Sequence, residues 1–148
     1  MPDYPKTNNV RSLVFAFSPN GKQVVSFVPV NPYQLLIHNA TTGELKKTVT
    51  INAPVVSMRF APNGELLAAV CTDGTLLVVP HSFDKILVTK KLHTLDVEAD
   101  STTLKNMLAF AGNERLAMIT GTWTVTVLDT KTWKAERTLD EPRDQITC

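Results

Sequence analysis

The chain has 148 residues, which is long enough for one domain with a hydrophobic core. It is 43% hydrophobic and 20% charged, as is usual for a globular protein. Fifteen basic and fourteen acidic residues give a net charge of +1, so no global field favours nucleic acid or an anionic membrane. No apolar run approaches the roughly 20 residues that span a bilayer, and the first residues lack the pattern of a signal peptide. We therefore expect a cytoplasmic or nuclear protein.

Cysteine usage points to the same compartment. Cys71 and Cys148 lie far apart in the sequence, one in a predicted buried strand and the other at the last position. Nothing in their placement supports a disulfide, and we expect both to be reduced, as in an intracellular protein.

The first part of the chain predicts a lead-in followed by four short strands. Residues 1–9 carry two prolines and polar residues, which predicts an extended lead-in. Asn20-Gly21 closes the first strand, because both residues tolerate the positive φ of a tight turn. The fourth strand alternates polar and apolar residues, which predicts an outer strand with one face in solvent. The four predicted strands are Val10–Phe17, Lys22–Val28, Tyr33–His38 and Glu44–Ile51.

The middle of the chain, Arg59–Val79, repeats this unit in its clearest form. Leu66–Cys71 is an unbroken apolar run, which predicts a strand covered on both faces. It is framed by the turns Pro62-Asn63-Gly64 and Thr72-Asp73-Gly74. The predicted strands of this second copy are Val55–Phe60, Leu66–Cys71, Thr75–Val79 and Lys85–Leu92.

A third copy follows after a polar stretch. Phe17, Phe60 and Phe110 end corresponding strands at intervals of 43 and 50 residues. The predicted strands of the third copy are Leu104–Phe110, Arg115–Thr120, Trp123–Leu128 and Lys134–Leu139. No segment has a useful helical period, so the chain is predicted to be all-β with an internal repeat. We divide it into a lead-in (1–9), repeats at 10–52, 53–99 and 100–140, and a tail or start of a further repeat at 141–148.

Four short strands per repeat at this period are typical of a β-propeller blade. The segment Val55–Gly64 (VVSMRFAPNG) followed by Thr72–Val79 (TDGTLLVV) resembles a degenerate WD40 repeat. Leu128-Asp129 stands where that family usually has Trp-Asp, and the Gly-His pair that usually precedes the first strand is absent from all three copies. Propeller repeats of the YVTN type share these turns and are the alternative. The resemblance implies an all-β fold of about three four-stranded WD40-like blades, which together form a partial propeller.

The departures from the family pattern affect how the blades are stabilised. The resemblance implies a hydrogen-bonded set of Asp, His, Ser or Thr, and Trp in each blade, and here Asp73 with Thr72 resembles part of it. The blades must therefore depend mainly on apolar packing between sheets. Asp73 itself is interpreted as a turn residue rather than a ligand-binding group, because Asp-Gly suits turn geometry.

The number of blades is the larger departure. Propellers typically close with 4 to 8 blades, so three blades leave two open apolar faces. Asp144–Cys148 resembles the entry to another first strand. We consider two interpretations: the chain is a piece of a larger propeller, or another chain supplies the missing blades. Two copies of this chain could then form a six-bladed ring.

Catalytic and metal-binding patterns are not found in the sequence. His38, His81 and His93 show no metal-ligand spacing with a cysteine or carboxylate. There is no nucleophile elbow and no phosphate-binding loop. We expect a protein that is not an enzyme and needs no cofactor or metal. The acidic residues Asp96, Glu98 and Asp100 are interpreted as solvated.

Two lysine pairs occupy corresponding outer strands of the first and second repeats. Lys46-Lys47 and Lys90-Lys91 are interpreted as residues that keep those edges soluble. They have no interleaved aromatic residues, so nucleic acid is not the expected partner.

The fold suggests where a partner would bind. In a blade, the loops between the second and third strands and the connections between blades lie on one face of the disc. Tyr33 and Trp123 are the aromatic residues there that suit an interface anchor, or else both pack between blades. Asn52-Ala53 and Asp100-Ser101 lie in the connections, and Trp133 is expected on the opposite face. The predicted partner-binding residues are Asn31, Tyr33, Thr72, Asp73, Thr122 and Trp123.

These observations lead to one hypothesis and two alternatives. The hypothesis is a non-catalytic scaffold whose partners are other proteins, including a second copy or another chain that completes the propeller. The first alternative is a fragment of an enzyme-type propeller (hydrolase- or lactonase-like) whose catalytic groups lie elsewhere. The second is a ribonucleoprotein-associated propeller.

Overall fold

A computed structural model of the chain describes residues 14–91, 108–121 and 124–140. These residues form twelve strands and, within the described ranges, no helix. The expectations for the lead-in at 1–9, the acidic patch, His93, Cys148 and the tail at 141–148 lie outside them. The strands are β1 (Phe15–Phe17), β2 (Gln23–Val28), β3 (Gln34–Asn39), β4 (Leu45–Thr50), β5 (Val55–Phe60), β6 (Leu66–Cys71), β7 (Thr75–Pro80), β8 (Val88–Lys91), β9 (Leu108–Ala111), β10 (Arg115–Gly121), β11 (Thr124–Asp129) and β12 (Ala135–Asp140).

The strands form three four-stranded antiparallel sheets, and each sheet contains four strands that follow one another along the chain. We call them blade 1 (β1–β4), blade 2 (β5–β8) and blade 3 (β9–β12). Edge strand β1 lies beside β5, and β5 lies beside β9, so the first strands of the blades meet along one line. The fourth strands form the opposite edge of each sheet. The all-β, blade-like architecture predicted from the sequence is confirmed.

Two kinds of turn lie at one end of every blade. In the β1–β2 turn of blade 1, Gly21 has a φ of 71° and donates its N–H to the Ser18 carbonyl. In the β5–β6 turn of blade 2, Gly64 has a φ of 77° and donates its N–H to the Ala61 carbonyl. Glycine is needed at both positions because other residues rarely adopt positive φ. The β3–β4 turn then bonds to the chain just after this glycine turn, through Ala40 N–H to Lys22 O in blade 1. The equivalent bonds are His81 N–H to Glu65 O and Thr130 N–H to Glu114 O.

The residue at the end of the third strand caps the β3–β4 turn. Asn39 Oδ1 accepts the N–H groups of Thr41 (2.8 Å) and Thr42 (3.0 Å). Asp129 Oδ1, at the same place in blade 3, accepts two N–H groups of its own turn at 2.7 and 3.0 Å. These bonds lower the pKa of the Asp129 carboxyl, although desolvation opposes the shift. Asn39 in blade 1 and Asp129 in blade 3 therefore cap the same turn, because both side chains offer the same acceptor.

Most predicted strand positions agree with the structure, and the start of β8 does not. β5 and β6 have the predicted bounds, Val55–Phe60 and Leu66–Cys71. β8 begins at Val88 instead of Lys85, because Phe83 takes a positive φ of 54° and enters the core. The fourth strand of blade 1 was predicted to be an outer strand with one face in solvent. In β4 Val49 is buried and the other residues are exposed, and Ile51, just after the strand, is buried as well.

A hydrophobic core lies between blades 1 and 2. Its largest fully buried side chains from blade 1 are Leu35 and Ile37, and Leu67 is its counterpart from blade 2. Partly buried Val14, Tyr33, Ala53 and Phe60 pack against it. The buried residues are Ala16, Val25, Phe27, Leu35, Ile37, Val49, Ile51, Val55, Met58, Leu67, Ala69, Cys71, Leu77, Val79 and Phe83.

A second core lies between blades 2 and 3 and uses the opposite face of blade 2. Alternate residues of β6 and β7 pack into it, so both faces of this sheet are covered. This explains the unbroken apolar runs of β6 and β7. The buried residues of this core are Ala68, Val70, Leu76, Val78, Leu108, Leu116, Met118 and Leu128.

Each blade therefore has two distinct faces. We call the face toward the preceding blade the leading face; in blade 2 it carries Met58, Leu67 and Leu77. We call the face toward the following blade the trailing face; in blade 1 it carries Leu35 and Ile37. Within the described ranges, no sheet covers the leading face of blade 1 or the trailing face of blade 3.

Candidate interaction surface

The loops at the other end of the blades are joined into one surface. Ile51 donates its N–H to the carbonyl of Tyr33 (2.9 Å), which ties the connection between blades 1 and 2 to the β2–β3 loop. Thr72 donates its N–H to the carbonyl of Pro54 (2.8 Å), which ties the same connection to the β6–β7 turn. We call residues 29–33, 51–54 and 72–74 the loop surface. Its three segments come from two blades and are held by backbone bonds.

The structure places four of the six predicted partner-binding residues on the loop surface. Asn31 and Asp73 are exposed, whereas Tyr33 and Thr72 are half-buried. Thr122 and Trp123 lie outside the described residues, as do Asp100 and Ser101. Of the residues in the connection between blades 1 and 2, Asn52 is exposed and Ala53 packs on the core.

Tyr33 has a structural role at this surface. Its ring lies 5.9 Å from that of Phe27, measured between centroids, and it packs against the core between blades 1 and 2. The arrangement agrees with the alternative that this aromatic residue packs between blades. Because the residue is only half-buried, part of it still faces the loop surface.

Asp73 combines a turn role with an exposed charge. Its Oδ1 accepts the N–H of Thr75 at 3.0 Å, as expected for a turn aspartate. Partial desolvation acts to raise the pKa of the carboxyl, but the hydrogen bonds from Thr75 and the charge of Lys91 outweigh it and lower that pKa. Asp73 therefore carries its negative charge at any pH near neutrality. It can accept hydrogen bonds from a partner or pair with a basic group.

Cys71, directly before this turn, has an unreactive thiol. It is 1% exposed and lies in the core between blades 1 and 2. Burial, and secondarily the charge of Asp73, raise the pKa of Cys71 from 9.0 to about 12. Since the thiolate is the reactive form, this side chain is a packing residue and not a nucleophile.

Two of the three histidines lie within the described ranges. His38 is half-buried in β3, and His81 is exposed in the β7–β8 turn. In the ranges that the structure covers, no three His, Cys, Asp or Glu side chains are grouped as a metal site would require. The same ranges contain no helix long and apolar enough to cross a membrane.

Two lysines that the sequence analysis assigned to solubility also join neighbouring blades. Lys47 Nζ, on β4, donates to the carbonyl of Ser82 in the β7–β8 turn of blade 2 (2.7 Å). Lys90 Nζ, on β8, donates to the carbonyl of Trp133 in the β11–β12 turn of blade 3 (2.7 Å). The signal for this role was the recurrence of lysines on corresponding outer strands. The hydrogen bonds themselves depend on how neighbouring sheets stack, and this stacking cannot be predicted from a single sequence.

Comparisons with known proteins agree with the architecture. No protein-family model matches the sequence, and no curated protein matches it either. Solved structures do match: "Structure of U3-55K" has a TM-score of 0.70 and 16% identity, with 89% of this chain aligned to 40% of that one. "Crystal structure of RRP9 WD40 repeats" has a TM-score of 0.69 and 16% identity, with 89% of this chain aligned to 39% of that one.

The coverage and the sequence identity limit what the structural similarity shows. The chain spans about 40% of the length of the two solved structures, and at this identity the likeness concerns the fold. The residues that the structure describes fold as three consecutive four-stranded β-propeller blades, similar in fold to these two solved structures.

Proposed function

We propose that the protein is a non-catalytic interaction scaffold that binds another protein through the loop surface, as part of a multi-protein assembly in the cytoplasm or nucleus. The observation that carries the proposal is that two backbone hydrogen bonds join segments of two blades, at Tyr33 with Ile51 and at Thr72 with Pro54. The exposed side chains of Asn31 and Asp73 stand on this fixed backbone.

A fixed loop surface favours binding for a physical reason. Association costs free energy when loops and side chains become ordered at an interface. Loops that are already tied to rigid sheets cost less to order, so a few polar contacts and an aromatic edge contribute more to affinity. Asn31 and Asp73 supply the polar contacts in this proposal, and the accessible part of Tyr33 supplies the aromatic one. Thr122 and Trp123 would extend the surface onto blade 3.

The likeness to WD40 structures supports a propeller fold, and the arrangement of the loops supports a binding role. Propellers of this type offer loops from several blades on one face, and the described chain has that arrangement. The proposal also includes an assembly in which further blades complete the propeller, from this protein or from another.

Affinity capture with paired variants tests the proposal. The chain is immobilised and the proteins that it retains from a cell extract are quantified by mass spectrometry. Asn31→Lys and Asp73→Asn alter the loop surface, and Asp73→Asn keeps the oxygen that accepts the Thr75 N–H. Lys131→Glu, an exposed residue at the opposite end of blade 3, is the matched control. We expect both loop-surface variants to lose the same retained proteins several-fold, while the control keeps them.

The same experiment separates the alternatives. Ribonuclease treatment and added salt are applied to parallel samples. Partners that disappear on ribonuclease treatment would indicate a ribonucleoprotein association in place of direct protein binding. Equal retention by all variants would exclude the loop surface as the binding site, and a hydrolase or lactonase activity of the purified chain would contradict the non-catalytic role.

A further inference from the structure

The strand registers allow the three blades to be compared position by position. Phe17 pairs with Val24, and Phe60 with Leu67; both phenylalanines therefore occupy the same place on the first strand. Phe110 pairs with Leu116 and occupies that place in blade 3. By the same registers, Phe15, Met58 and Leu108 are equivalent. All of these residues belong to the leading faces of their blades.

Equivalent positions on the leading faces differ sharply in exposure. Met58 is 6% exposed and Leu108 is 2% exposed, because the preceding blade covers them. Phe15 is 55% exposed and Phe17 is 57% exposed, and the two rings lie edge to face 6.1 Å apart. The leading face of blade 1 is therefore the same type of surface as those of blades 2 and 3, without its cover.

The trailing faces show the complementary difference. Ile37, Val78 and Val127 are equivalent, since each pairs with the third residue of its second strand. Ile37 is 1% exposed and Val78 is 0% exposed, whereas Val127 is half-buried. On the fourth strands, Val49 is 9% exposed, but its equivalent Leu139 is 51% exposed. At these two positions blade 3 exposes apolar side chains whose equivalents are buried in blades 1 and 2 or in blade 1. The exposed Arg115–Glu136 ion pair lies beside them.

A basic residue completes this match. Lys47 pairs with Ile37 on blade 1, and Arg137 pairs with the equivalent Val127 on blade 3. Lys47 donates a hydrogen bond to the carbonyl of Ser82, which lies in the turn between the third and fourth strands of blade 2 (β7–β8). Arg137 is exposed at the corresponding place on the open trailing face. The turn of blade 1 that corresponds to the acceptor turn is 39–44, which is closed by the Gly43 N–H to Asn39 carbonyl bond.

We propose that the protein associates with a second copy of itself head to tail, with the trailing face of blade 3 in one copy packed on the leading face of blade 1 in the other. Arg137 of one copy donates to a backbone carbonyl of the 39–44 turn in the second, as Lys47 does to Ser82 within the chain. The occupant is a second copy because this chain carries both halves of an interface that it forms twice internally. This inference rests on the part of the proposed function in which further blades complete the propeller. The loop surface takes no part in the contact, so loss of the association and loss of partner binding at the loop surface are distinguishable.

A head-to-tail contact determines how further copies can add. The two surfaces are different, so the contact is heterologous and leaves one further half free on each copy. Successive copies either close into a ring or add to a chain, and two copies that close would form a six-bladed ring. In either case both faces must be intact for association beyond a pair.

Sedimentation and light scattering over a wide concentration range give the first test. We expect the average mass of the full chain to rise toward twice the mass of one copy or more. The face variants are Phe15→Asp with Phe17→Asp for the leading face, and Arg137→Glu with Leu139→Asp for the trailing face. Each is expected to associate at least about tenfold more weakly than the parent chain, because a charge would have to be buried against an apolar face. Leu87→Asp alters another exposed apolar residue, on blade 2, and is the matched control.

Mixing the two face variants gives the decisive result. The leading-face variant keeps a sound trailing face and the trailing-face variant keeps a sound leading face. We expect each variant alone to associate at least about tenfold more weakly than the parent chain, and the mixture to form one-to-one pairs that do not extend. Circular dichroism and cooperative unfolding in urea identify any variant that does not fold. Mixed chains bearing Thr42→Cys and Arg137→Cys, in a background of Cys71→Ser and Cys148→Ser, provide a second measurement through disulfide formation, with Lys131→Cys as control.

Each outcome of these experiments either supports or contradicts the head-to-tail contact. A folded chain that stays monomeric at every concentration would overturn the proposal. Association that both face variants retain would place the contact elsewhere. Pairing of a face variant with itself would indicate a symmetric contact instead of a head-to-tail one. Enrichment of the cross-link between positions 42 and 137 over the control would support the proposed arrangement.

Discussion

Blades 1 and 2 share strand order, turns and register, yet their central strands differ in burial. In blade 2, β6 and β7 are buried on both faces; Leu67 and Val79 are 0% exposed. In blade 1, β2 and β3 alternate between buried and half-buried residues, and Val24 and His38 occupy the positions of Leu67 and Val79. The comparison shows what determines the sequence pattern of a strand. A strand covered on both faces has an unbroken apolar sequence, whereas a strand covered on one face alternates between buried and more exposed residues.

The open face of blade 1 is intermediate in character between a core and an ordinary surface. It retains apolar Phe15, Phe17 and Leu36, but Ser26 stands where blade 2 has Ala69. A face that met only water would be expected to carry more charge along its strands. The apolar residues are what makes this face suitable for another sheet.

The largest expected difference between covered and open faces concerns thiol chemistry. Cys71 lies on the covered leading face of blade 2, and Val28 is its equivalent on the open leading face of blade 1. With a pKa of about 12 instead of 9.0, the thiolate fraction of Cys71 at pH 8 falls about a thousandfold. In a Cys148→Ser background we expect Cys71 to react with Ellman's reagent only when blade 2 opens, and faster as the pH rises.

The matched thiol is placed on the open face. A chain with Val28→Cys, Cys71→Ser and Cys148→Ser has one thiol in the equivalent half-buried position. We expect it to react in the folded state, faster than Cys71 by at least about a hundredfold, because both access and pKa favour it. Equal rates at the two positions would show that the leading faces of blades 1 and 2 are covered alike.

A pair of leucines measures the same contrast as stability. Leu77 is 5% exposed on the leading face of blade 2, and Leu36 is its half-buried equivalent in blade 1. We expect Leu77→Ala to lower the free energy of unfolding by about 3 kcal/mol, since it leaves a cavity, and Leu36→Ala by about 1 kcal/mol. Urea unfolding at low protein concentration, with unchanged slopes, is the measurement. A loss at Leu36 as large as that at Leu77 would contradict an open face.

The smallest expected effect comes from the lysines at the outer edge. Lys47 Nζ bonds to Ser82 O across two blades, whereas Lys46 pairs with Glu44 of its own strand region, with both side chains in solvent. We expect Lys47→Met to cost about 0.5 to 1 kcal/mol of unfolding free energy and Lys46→Met less than about 0.5 kcal/mol. Thermal and urea unfolding of the two variants provide the comparison, and an equal cost would show that the bond between blades contributes nothing beyond the surface ion pair.

Much of the fold could be predicted because turns mark the strands clearly. Pro62-Asn63-Gly64 and Thr72-Asp73-Gly74 frame β6, and that strand has its predicted bounds. These glycines and aspartates determine backbone geometry locally, so their signal survives in a single sequence. The resemblance to WD40 repeats rested on the same residues and gave the correct blade architecture.

What could not be predicted depends on contacts between sheets. Lys47 and Lys90 bond to carbonyls in the following blade, and Asn63 N–H bonds to Asn113 Oδ1 in blade 3 (2.8 Å). Such bonds join residues about 35 to 50 positions apart and have no local pattern. The late start of β8 has a similar cause, since Phe83 is drawn into the core between blades 1 and 2.

The arrangement of each sheet from four consecutive strands has a consequence for synthesis. Every strand pairing in blade 1 is complete once Thr50 has left the ribosome. Its trailing face, which carries Leu35 and Ile37, then remains exposed to solvent until Leu67 and Leu77 have also emerged and can pack on it. Because chains emerge at about 5 to 20 residues per second, that interval lasts seconds, long enough for chaperones to bind the face. The nascent chain thus passes through the same exposed state that blade 3 retains at its trailing face.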